Sequence, residues 1–581
     1  MVCVLIALGA GIGGPVTRGP VSMGNEVRPY YGKKGDSLML SDHLIPILDT
    51  APRPRVFYGD KYTPFYPMAN GDGWIPPVSV ATDPNRDEWT PMIAVDAAGV
   101  LWCTVNVIQQ GYYDAVGIYY STDKGSTWNF RTFIAGYVDL GDPVIAIDVG
   151  RSPNRMYIGF WGYYGYNDYD AGWFTLDISG TTLTTVSSGW FETSTPNVSG
   201  PSIAMVERGY NPNYVFMAWE YWYSQSNQYV IRVARSSDGV SWTQNDVYQP
   251  APGRYCGQVW GNAGNNTNPA ILINYKYNPS GTDWATATVA GLLISTNRGG
   301  SWSNQQYTPG GNIFQTSSAI GYGTNNMVWA IQTNPNSNDG NILIRYSTDR
   351  GSTWTATYYI ENSPLTIDSR MPIVYADGMQ QTNYTSQLFY LGFYRETVSG
   401  SGRGNYYFKV APVSSATTAS SWVCPKGVDS FAIANEASYS VQEANWAQLH
   451  LVPFIFNGGY APGLVWNHQT SASNHDIFFT RPISPLYEEV NEDGSAEPGF
   501  YVHQISNPAT NKLLLEIGLP SDSRVNLVLY GSDGRTVLSD GFEFEAGRHQ
   551  IQKDISRLPA GVYFLKVSAQ MGEVSGKIMV K

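Results

Sequence analysis

A short segment that ends in tryptophan recurs along this chain and constrains its fold more than any other feature. Each copy has a Ser, an Asp or Asn two residues later, then a Gly and the Trp, and the key pairs are Asp123 and Trp128, Asp238 and Trp242, Asn297 and Trp302, and Asp349 and Trp354. The tryptophans are 114, 60 and 52 residues apart, and a degenerate copy at 176–183 divides the long gap. A period of roughly 50 to 60 residues with strand-like segments indicates a β-propeller or a similar array.

A second repeat supports the same fold. Apolar strands begin at regular intervals, and each is usually followed by a turn and another apolar strand; they start at or near Pro91, Pro143, Pro201, Pro269, Ser317, Pro372 and Val452. The chain has 60 glycines and only 14% charged residues, a composition that favours short strands and tight turns over helices. We therefore predict an all-β fold with a six- or seven-bladed propeller, seven preferred. The last unit shows three strands, and residues 77–81 are expected to supply its fourth and close the ring.

The repeated segments resemble Asp boxes, the repeats of sialidases and of many other propeller proteins. Their chemistry explains their composition. The Asp carboxylate accepts hydrogen bonds from backbone N–H groups of its own turn, Gly supplies a positive φ, and Trp packs on the outer strands. The box is therefore expected to fasten the hairpin between the third and fourth strands of a blade. We assign Asp123, Asp238, Asn297 and Asp349 this structural role rather than a catalytic one.

The composition changes after residue 483. A Pro-, Glu- and Gly-rich stretch, 484–504, is predicted to be a linker. Residues 505–581 alternate apolar and polar side chains and contain the hairpin signal Asp533-Gly534, which predicts a small C-terminal β-sandwich. The Asn507-Pro508 opening, the Leu-Pro-Ala-Gly-Val-Tyr-Phe segment at 558–564 and the Lys-rich end resemble the type A sorting domain of the type IX secretion system. That resemblance implies recognition by the type IX secretion machinery, export, and a secreted or surface-attached product.

The remaining segments complete the predicted organisation. Residues 1–20 hold an apolar run of signal-peptide length without the usual preceding basic residues, so we expect a signal peptide or a truncated one. Residues 21–85 form an N-terminal extension and residues 86–483 the propeller. The net charge is −12 and no Lys/Arg cluster occurs, which argues against nucleic-acid binding. No membrane-spanning segment is expected in the mature chain. Cys103 and Cys256 lie on predicted strands and are expected to be buried thiols.

The Asp boxes raise the question of sialidase activity. Sialidases use an arginine triad for the sugar carboxylate, a Tyr nucleophile with a Glu partner, and an Asp acid/base. Where that family has its first Arg, this chain reads Trp89-Thr90-Pro91, with Thr in place of Arg. The candidates that remain lie together on the sixth unit: Arg370, Tyr394, Arg395 and Glu396. An exo-acting, sialidase-like glycoside hydrolase is therefore the alternative hypothesis.

Aromatic residues instead favour a binding function. The loops between the second and third strands of each unit lie at the opposite end from the Asp boxes, and the candidate ligand-binding residues in or beside them are Tyr112, Tyr113, Trp161, Tyr163, Tyr164, Trp222, Tyr223 and Trp284. Such rings stack on sugar faces, or they cover strand ends. We predict that this face binds an extracellular glycan or protein partner. No zinc, phosphate-loop or dinucleotide motif occurs, so no metal or other cofactor is predicted. His468 and His475 have no evident ligand partners in the sequence.

Overall fold

The structure is a computed structural model. It describes residues 38–46, 74–75, 77–165, 168–191, 198–207, 213–223, 225–264, 269–336, 339–361, 369–378, 380, 384–396, 404–422, 435–436, 449–456, 459–471, 474–482, 487–488, 501–504, 512–519, 521–545, 547–570 and 572–580. The described residues contain strands and two short 3-10 turns, Trp284–Thr286 and Ala419–Ser421, but no α-helix. The fold is all-β. The predicted signal peptide, 1–20, lies outside the described residues.

The strands of the first half of the chain follow one another at short intervals. They are β1 (Met39–Ser41), β2 (Val78–Ala81), β3 (Asp87–Val95), β4 (Leu101–Ile108), β5 (Ala115–Ser121), β6 (Asn129–Ala135), β7 (Asp139–Asp148), β8 (Asn154–Gly165), β9 (Asp168–Ser179), β10 (Thr182–Trp190), β11 (Val198–Glu207), β12 (Tyr214–Tyr223), β13 (Gln228–Ser236), β14 (Thr243–Tyr248), β15 (Tyr255–Ala263), β16 (Ile271–Asn278), β17 (Val289–Ser295) and β18 (Ser303–Tyr307).

The second half continues the same pattern and then changes to the C-terminal strands. They are β19 (Asn312–Ile320), β20 (Met327–Asn336), β21 (Asp339–Ser347), β22 (Ala356–Glu361), β23 (Ser369–Ala376), β24 (Leu388–Glu396), β25 (Gly404–Pro412), β26 (Asn435–Glu436), β27 (Leu449–Phe456), β28 (Gly459–Ser471), β29 (Asn474–Thr480), β30 (Tyr487–Glu488), β31 (Tyr501–Gln504), β32 (Lys512–Leu519), β33 (Ser523–Tyr530), β34 (Thr536–Phe544), β35 (Gly547–Asp554), β36 (Gly561–Ala569) and β37 (Gly572–Val580).

Up to residue 482 the strands form antiparallel meanders, each with neighbouring strands in chain order. We name them unit 1 (β3–β6), unit 2 (β7–β10), unit 3 (β11–β14), unit 4 (β15–β18), unit 5 (β19–β22), unit 6 (β23–β26) and unit 7 (β27–β29). Units 2 and 3 share one sheet, but they are joined only by the parallel pair Val198 and Tyr169. Four-stranded meanders in series are blades of a β-propeller. The count of seven blades stays a prediction.

The first strand of each unit is its inner strand, and the inner strands contact one another in sequence. β3 contacts β7, β7 contacts β11, and the series continues through β15 and β19 to β23. His450 on β27 joins the two ends of this series. Its Nδ1 accepts a hydrogen bond from Ile93 N on β3 at 3.1 Å, and its Nε2 lies 2.8 Å from the Tyr375 hydroxyl on β23. Burial lowers the pKa of His450 to about 3, so the ring is neutral and Nε2 carries its proton.

The N-terminal segment supplies outer strands to two units. β2 pairs antiparallel with β29, with Val78 opposite Phe479, and so lies at the outer edge of unit 7. β1 pairs with β6 and lies at the outer edge of unit 1. Each added strand covers backbone groups of an edge that would otherwise be exposed. Cys103 and Cys256 are buried free thiols, as predicted.

Each Asp box closes on its own turn. In unit 1 the Asp123 carboxylate accepts hydrogen bonds from Ser121 Oγ and Thr127 N, both at 2.8 Å, and from Thr127 Oγ1 at 2.6 Å. Gly125 N donates to Ser121 Oγ at 2.8 Å. Asp349 accepts the corresponding bonds in unit 5. These carboxylates hold their own hairpins together, which is a structural role.

The other two boxes show how much variation the turn allows. Asp238, in the copy that is one residue short, accepts from Val240 N and Ser241 N at 2.8 and 2.9 Å. Asn297 accepts from Ser301 N at 2.8 Å through its amide oxygen and donates to Ser301 Oγ through its amide nitrogen. The turn therefore needs an oxygen acceptor at this position but not a negative charge.

The box of one unit also packs against the unit before it. Gly125 has φ +86°, and a Cβ built there would overlap the Phe479 ring of unit 7. Gly239, Gly299 and Gly351 lie in the same way against Tyr157, Phe216 and Ile294 of the preceding units. Glycine is required at this position for two reasons. It adopts the positive φ, and its lack of a side chain leaves the space that the neighbouring side chain fills.

The chain divides into two compact bodies, Met1–Ile455 with Ala461–Ser484, and Phe456–Tyr460 with Pro485–Lys581. In the second body, β31, β32 and β35 form one sheet, and β34, β33, β36 and β37 form another. Their inner faces share a buried core that includes Leu515, Leu527 and Val567. Two sheets around one apolar core make the small β-sandwich that the alternation of side chains predicted.

The box packing leads to a stability prediction. Gly125→Ala is expected to lower the free energy of unfolding by about 3 kcal/mol, because it combines backbone strain with overpacking against Phe479. Gly180→Ala is the matched control, since Gly180 also has a positive φ but has open space around it. The Gly180→Ala variant should lower the free energy of unfolding by only about 1 kcal/mol. Thermal or urea unfolding of both variants measures the difference, and equal losses would contradict the proposed contact between units.

Candidate functional site

The ends of the strands define two faces for each unit. The Asp-box hairpins lie at one end, which we call the box end. The inner strands begin at the other end, the loop end, where the loops between second and third strands also lie. Backbone hydrogen bonds tie these loops to the next unit: Leu140 N donates to Asp114 O at 3.0 Å, and Ile313 N donates to Ala287 O at 2.7 Å. The loop end is therefore a connected surface rather than a set of separate loops.

A β-bulge recurs where the inner strands enter at the loop end. The register shifts between residues 89 and 92, 141 and 144, 257 and 260, and 370 and 373. Within these bulges Thr90, Asp142, Gln258 and Met371 have φ between 45 and 55°. Bulges of this kind redirect side chains and occur beside binding and active sites. Because Met371 is equivalent to Thr90, Arg370 occupies the position of Trp89 on unit 1.

The aromatic residues of unit 1 lie on the accessible part of the loop end. Tyr112 and Tyr113 are half-buried, and the Tyr113 ring meets that of Tyr137 edge to face, with centroids 6.3 Å apart. Tyr137 is 48% exposed. It lies in the connection from β6 to β7, which the sequence analysis did not consider. A search that included the connections between units would have found it, because they end on the same face as the predicted loops.

The candidates of unit 2 are packed into the fold. Trp161 is 3% exposed, its Nε1 donates to Asp142 at 2.7 Å, and its ring fills the space beside Gly141. Tyr163 is also buried. Because both rings are buried, they present no open face to a ligand in the structure. The side chain of Tyr164 lies outside the described residues.

Unit 3 contributes one accessible ring, and a second ring whose hydroxyl is hydrogen-bonded to charged side chains. Trp222 is half-buried, stacks on Tyr229 and donates from Nε1 to the Asn227 side chain at 3.2 Å. Tyr223 donates from its hydroxyl to Asp246 at 3.1 Å and accepts a hydrogen bond from Arg232. Trp222 with Asn227 therefore offers a ring beside an amide, whereas the Tyr223 hydroxyl already has its partners.

Unit 4 encloses a buried polar cluster beneath Trp284. The Glu220 carboxylate, from unit 3, accepts hydrogen bonds from the Tyr255 hydroxyl at 3.0 Å and from Gln258 N at 2.8 Å. Gly257 leaves room for that carboxylate, since a Cβ there would overlap it. Burial raises the pKa of Glu220, and the hydrogen bonds from Gln258 and Tyr255 oppose part of that effect. The Tyr255–Glu220 pair was missed by sequence reasoning because its members belong to different units.

Lys276 lies in the same cluster. It is 1% exposed, and its Nζ lies 4.5 Å from the centroid of the half-buried Trp284 ring. Burial lowers its pKa to about 7, while Glu220 and Asp283 act in the opposite direction. The side-chain amide of Gln258 is buried as well and has no hydrogen-bond partner within the described structure. Trp284, a predicted ligand-binding ring, is therefore the cover of a polar interior.

A second polar cluster joins units 7 and 1. His475 N and Nδ1 lie 2.8 and 2.9 Å from Asp87 Oδ1, and Trp89 packs on the imidazole with centroids 3.7 Å apart. Thus His475 has a partner that the sequence did not suggest. Glu88 is fully buried, and its oxygens have no hydrogen-bond partner among the described residues. Burial, followed by the charge of Asp476, raises the pKa of Glu88 to about 9.

The candidates of the sialidase hypothesis are only partly visible. Tyr394 is 1% exposed and pairs with Arg370 across β23 and β24, while Arg395 is half-buried on β24. The side chains of Arg370 and Glu396 lie outside the described residues. Burial leaves the Tyr394 ring no surface for a substrate in this structure.

Several other arginines serve the box end. Arg155, Arg235 and Arg481 donate to backbone carbonyls of the box in the next unit, at 2.7, 2.8 and 2.6 Å. These arginines therefore support the ring and lie away from the loop end.

The buried carboxyl of Glu88 leads to a prediction about pH. Its folded-state pKa, about 9, lies above the unfolded value, so the folded state holds the proton more tightly. The free energy of unfolding should therefore fall as pH rises from roughly 4.5 to 9, by up to about 1.4 kcal/mol per pH unit. Glu88→Gln, which stays neutral, should flatten this dependence and be more stable than the natural protein at pH 8.

Melting temperatures measured from pH 5 to 9 check this prediction. Glu543→Gln is the control, because the Glu543 side chain is 76% exposed and its removal should leave the pH profile unchanged. Parallel pH profiles for the natural protein and Glu88→Gln would contradict the assignment.

No helix within the described part of the chain is long and apolar enough to cross a membrane.

No curated protein matches this sequence. Among solved structures, a Dyadobacter fermentans protein of unknown function is 10% identical, with 58% of this chain and 98% of that chain covered and a TM-score of 0.39. A PL25 ulvan lyase is 10% identical over 68% and 97%, with a TM-score of 0.38. A mutant Trypanosoma rangeli sialidase with trans-sialidase activity is 10% identical over 95% and 88%, with a TM-score of 0.37. Likenesses at this level do not assign an activity.

The C-terminal end matches a family model. Residues 506–581 match the secretion system C-terminal sorting domain, which is the resemblance that the motifs at 507–564 suggested. The match covers the strands β32 to β37 of the sandwich and none of the units that carry the loop end. A sorting domain of this kind marks a cargo for export. The protein is therefore secreted or attached to the cell surface through its type IX sorting domain.

Proposed function

We propose that the propeller binds an extracellular glycan at its loop end, with the rings of Tyr113 and Tyr137 as the main contact. The observation that supports this most is the exposure of Tyr137, 48%, next to the half-buried Tyr113. An exposed ring beside a half-buried one on a connected surface suits the apolar face of a sugar ring. Export brings the protein to the cell exterior, where it would meet such a ligand.

Polar groups for the sugar hydroxyls lie beside this pair. Asp114 and Asp139 meet at the junction of units 1 and 2, where Asp114 N donates to Asp139 Oδ1 at 3.0 Å. Asp139 is buried, so the half-buried Asp114 is the carboxylate that could orient a ligand held by stacking on the rings. Trp222 with Asn227 on unit 3 offers a second ring and amide of the same kind. Two separate contacts would suit an extended chain better than a single sugar.

A glycan array followed by calorimetry on the best ligand tests this proposal. Tyr137→Ala and Tyr113→Ala should each weaken binding about tenfold or more, because the stacking of a sugar on one ring contributes on the order of 1–2 kcal/mol. Tyr359→Ala is the matched control, because Tyr359 is 37% exposed but lies on the outer strand β22. It should leave the affinity unchanged.

Two outcomes would contradict the proposal. One is a glycan that binds with equal affinity to all three variants, which would place the site elsewhere. The other is an array without any ligand together with tight binding of an extracellular protein, which would favour the protein partner over the glycan.

The Tyr255–Glu220 pair supports a second candidate function, an exo-acting glycoside hydrolase. A tyrosine hydroxyl 3.0 Å from a carboxylate has the geometry of a nucleophile and its base. Tyr255 is only 2% exposed, so, as with Tyr394, a substrate could reach it only after the residues that cover it move. If the protein hydrolyses sialosides or other fluorogenic glycosides, Tyr255→Phe should reduce kcat at least about a hundredfold through loss of the nucleophile. Tyr229→Phe is the control, because its ring lies 5.1 Å from that of Tyr255 on the same face. No turnover by the natural protein would exclude this candidate for the substrates tested.

A further inference from the structure

Lys276 is a buried amine with no hydrogen-bond partner among the described residues. It is 1% exposed, and the described residues give its Nζ neither a hydrogen bond nor an ion pair. The half-buried Trp284 ring lies over it, at 4.5 Å from Nζ to the ring centroid. Lysine is rarely buried because removing its charge from water is costly, so a lysine in this state requires an explanation.

The propeller repeat does not require an amine at this position. Lys276 pairs with Gly257, the residue before the bulge of β15. The residues in the same register on units 1, 2, 5 and 6 are Asn106, Trp161, Thr333 and Tyr394. None of these is a cation, so the fold is built equally well without one. A residue that departs from its repeat at a structural cost is a candidate for function.

We propose that Lys276 is a covalent capture site for small aldehydes, including the open-chain form of reducing sugars, with Trp284 as its cover. The neutral amine would attack the carbonyl carbon, and one of its N–H protons would pass to the carbonyl oxygen to give a carbinolamine. Loss of one N–H proton and of the hydroxyl as water then leaves the C=N bond of an imine. The step needs no oxidant or reductant. It is independent of the glycan contact proposed at units 1 and 2.

The surroundings of Lys276 fit this chemistry. The charged groups that act on it come from two elements, Glu220 on β12 and Asp283 before the 3-10 turn. Tyr255 on β15 donates a hydrogen bond to Glu220. At a pKa of about 7 half of the amine is neutral at pH 7, against roughly one molecule in 2,500 for an ordinary lysine. Burial raises the pKa of Glu220, which makes its carboxyl a candidate for the group that protonates the leaving oxygen.

Trp284 controls the access of a ligand. Its 3-10 turn is short and begins at Asp283, whose side chain accepts from Ala285 N at 2.9 Å. Trp284 and its neighbour Ala285 are half-buried, and Asp283 and Thr286 are exposed. A rotation of the indole away from β16 would open the amine to solvent without moving a strand. Removal of the ring should therefore accelerate capture.

Reductive labelling of the full chain tests the proposal. The protein is treated with glycolaldehyde and sodium cyanoborohydride, which converts an imine to a stable secondary amine, and the modified lysines are identified by peptide mass mapping. At pH 7 we expect Lys276 to be labelled at least about tenfold faster than the exposed Lys512 in the same molecule. The labelling rate of Lys276 should level off above pH 7, because its amine is then already largely neutral. Trp284→Ala should increase the rate at Lys276 alone.

The comparison within one molecule does not depend on whether a variant folds. Lys276→Arg serves as a further control, because it retains a cation but cannot form an imine, and it should abolish the fast phase. Labelling of Lys276 no faster than Lys512, in both the natural protein and Trp284→Ala, would overturn the proposal. So would a fast phase that persists in Lys276→Arg. Glycan binding through Tyr113 and Tyr137 should be unaffected in either case.

Discussion

The contact between an Asp box and the unit before it is the interaction on which the propeller depends. The box turn folds by itself, through the bonds from Ser121 and Thr127 to Asp123, and it presents a glycine to its neighbour. A ring or branched side chain of the preceding unit fills the space that this glycine leaves. Arginines add a second connection, as Arg481 does to Lys124 O. The residues that form each local turn thus also form the contact that packs one unit against the next.

This arrangement leaves the two ends of the units with different tasks. At the box end, polar groups are used up in turns and in bonds between units. At the loop end, beside the bulges of the inner strands, lie buried residues that depart from the repeat. Glu88 lies where unit 2 has the buried Leu140, and Lys276 lies where units 1, 2, 5 and 6 have neutral residues. Departures from a repeat that cost stability are found at functional sites, which is why both proposals concern this end.

The two functional proposals use different parts of the loop end. Stacking on Tyr113 and Tyr137 needs accessible rings and little else, and the exposed Tyr137 meets that need. Chemistry at Glu220, Tyr255 or Lys276 needs an enclosed environment with shifted pKa values, and the cluster beneath Trp284 has both. A surface that holds a sugar chain and an interior that reacts with a carbonyl group can exist in one protein, since neither occupies the residues of the other.

The sequence by itself determined the all-β class, the box turns and the C-terminal sorting domain, because each is written in neighbouring residues. A turn needs its Asp, Gly and Thr within five positions, and a half-buried strand shows itself by alternation. The loops that carry Tyr112, Tyr113 and Trp222 could also be located in this way. The burial of these residues could not be predicted from the sequence. Trp161 and Trp222 look alike in sequence, yet Trp161 fills the space at a bulge and Trp222 keeps an accessible ring.

Only the tertiary structure decided which distant residues meet. Tyr255 and Glu220 are 35 positions apart, and Asp87 and His475 are 388 apart, and each pair lies on different units. Such pairs depend on how one sheet is rotated against the next, and no local pattern records that rotation. For the same reason Glu88 appears as an ordinary acidic residue in the sequence, and only the packing around it removes the water that would keep it charged.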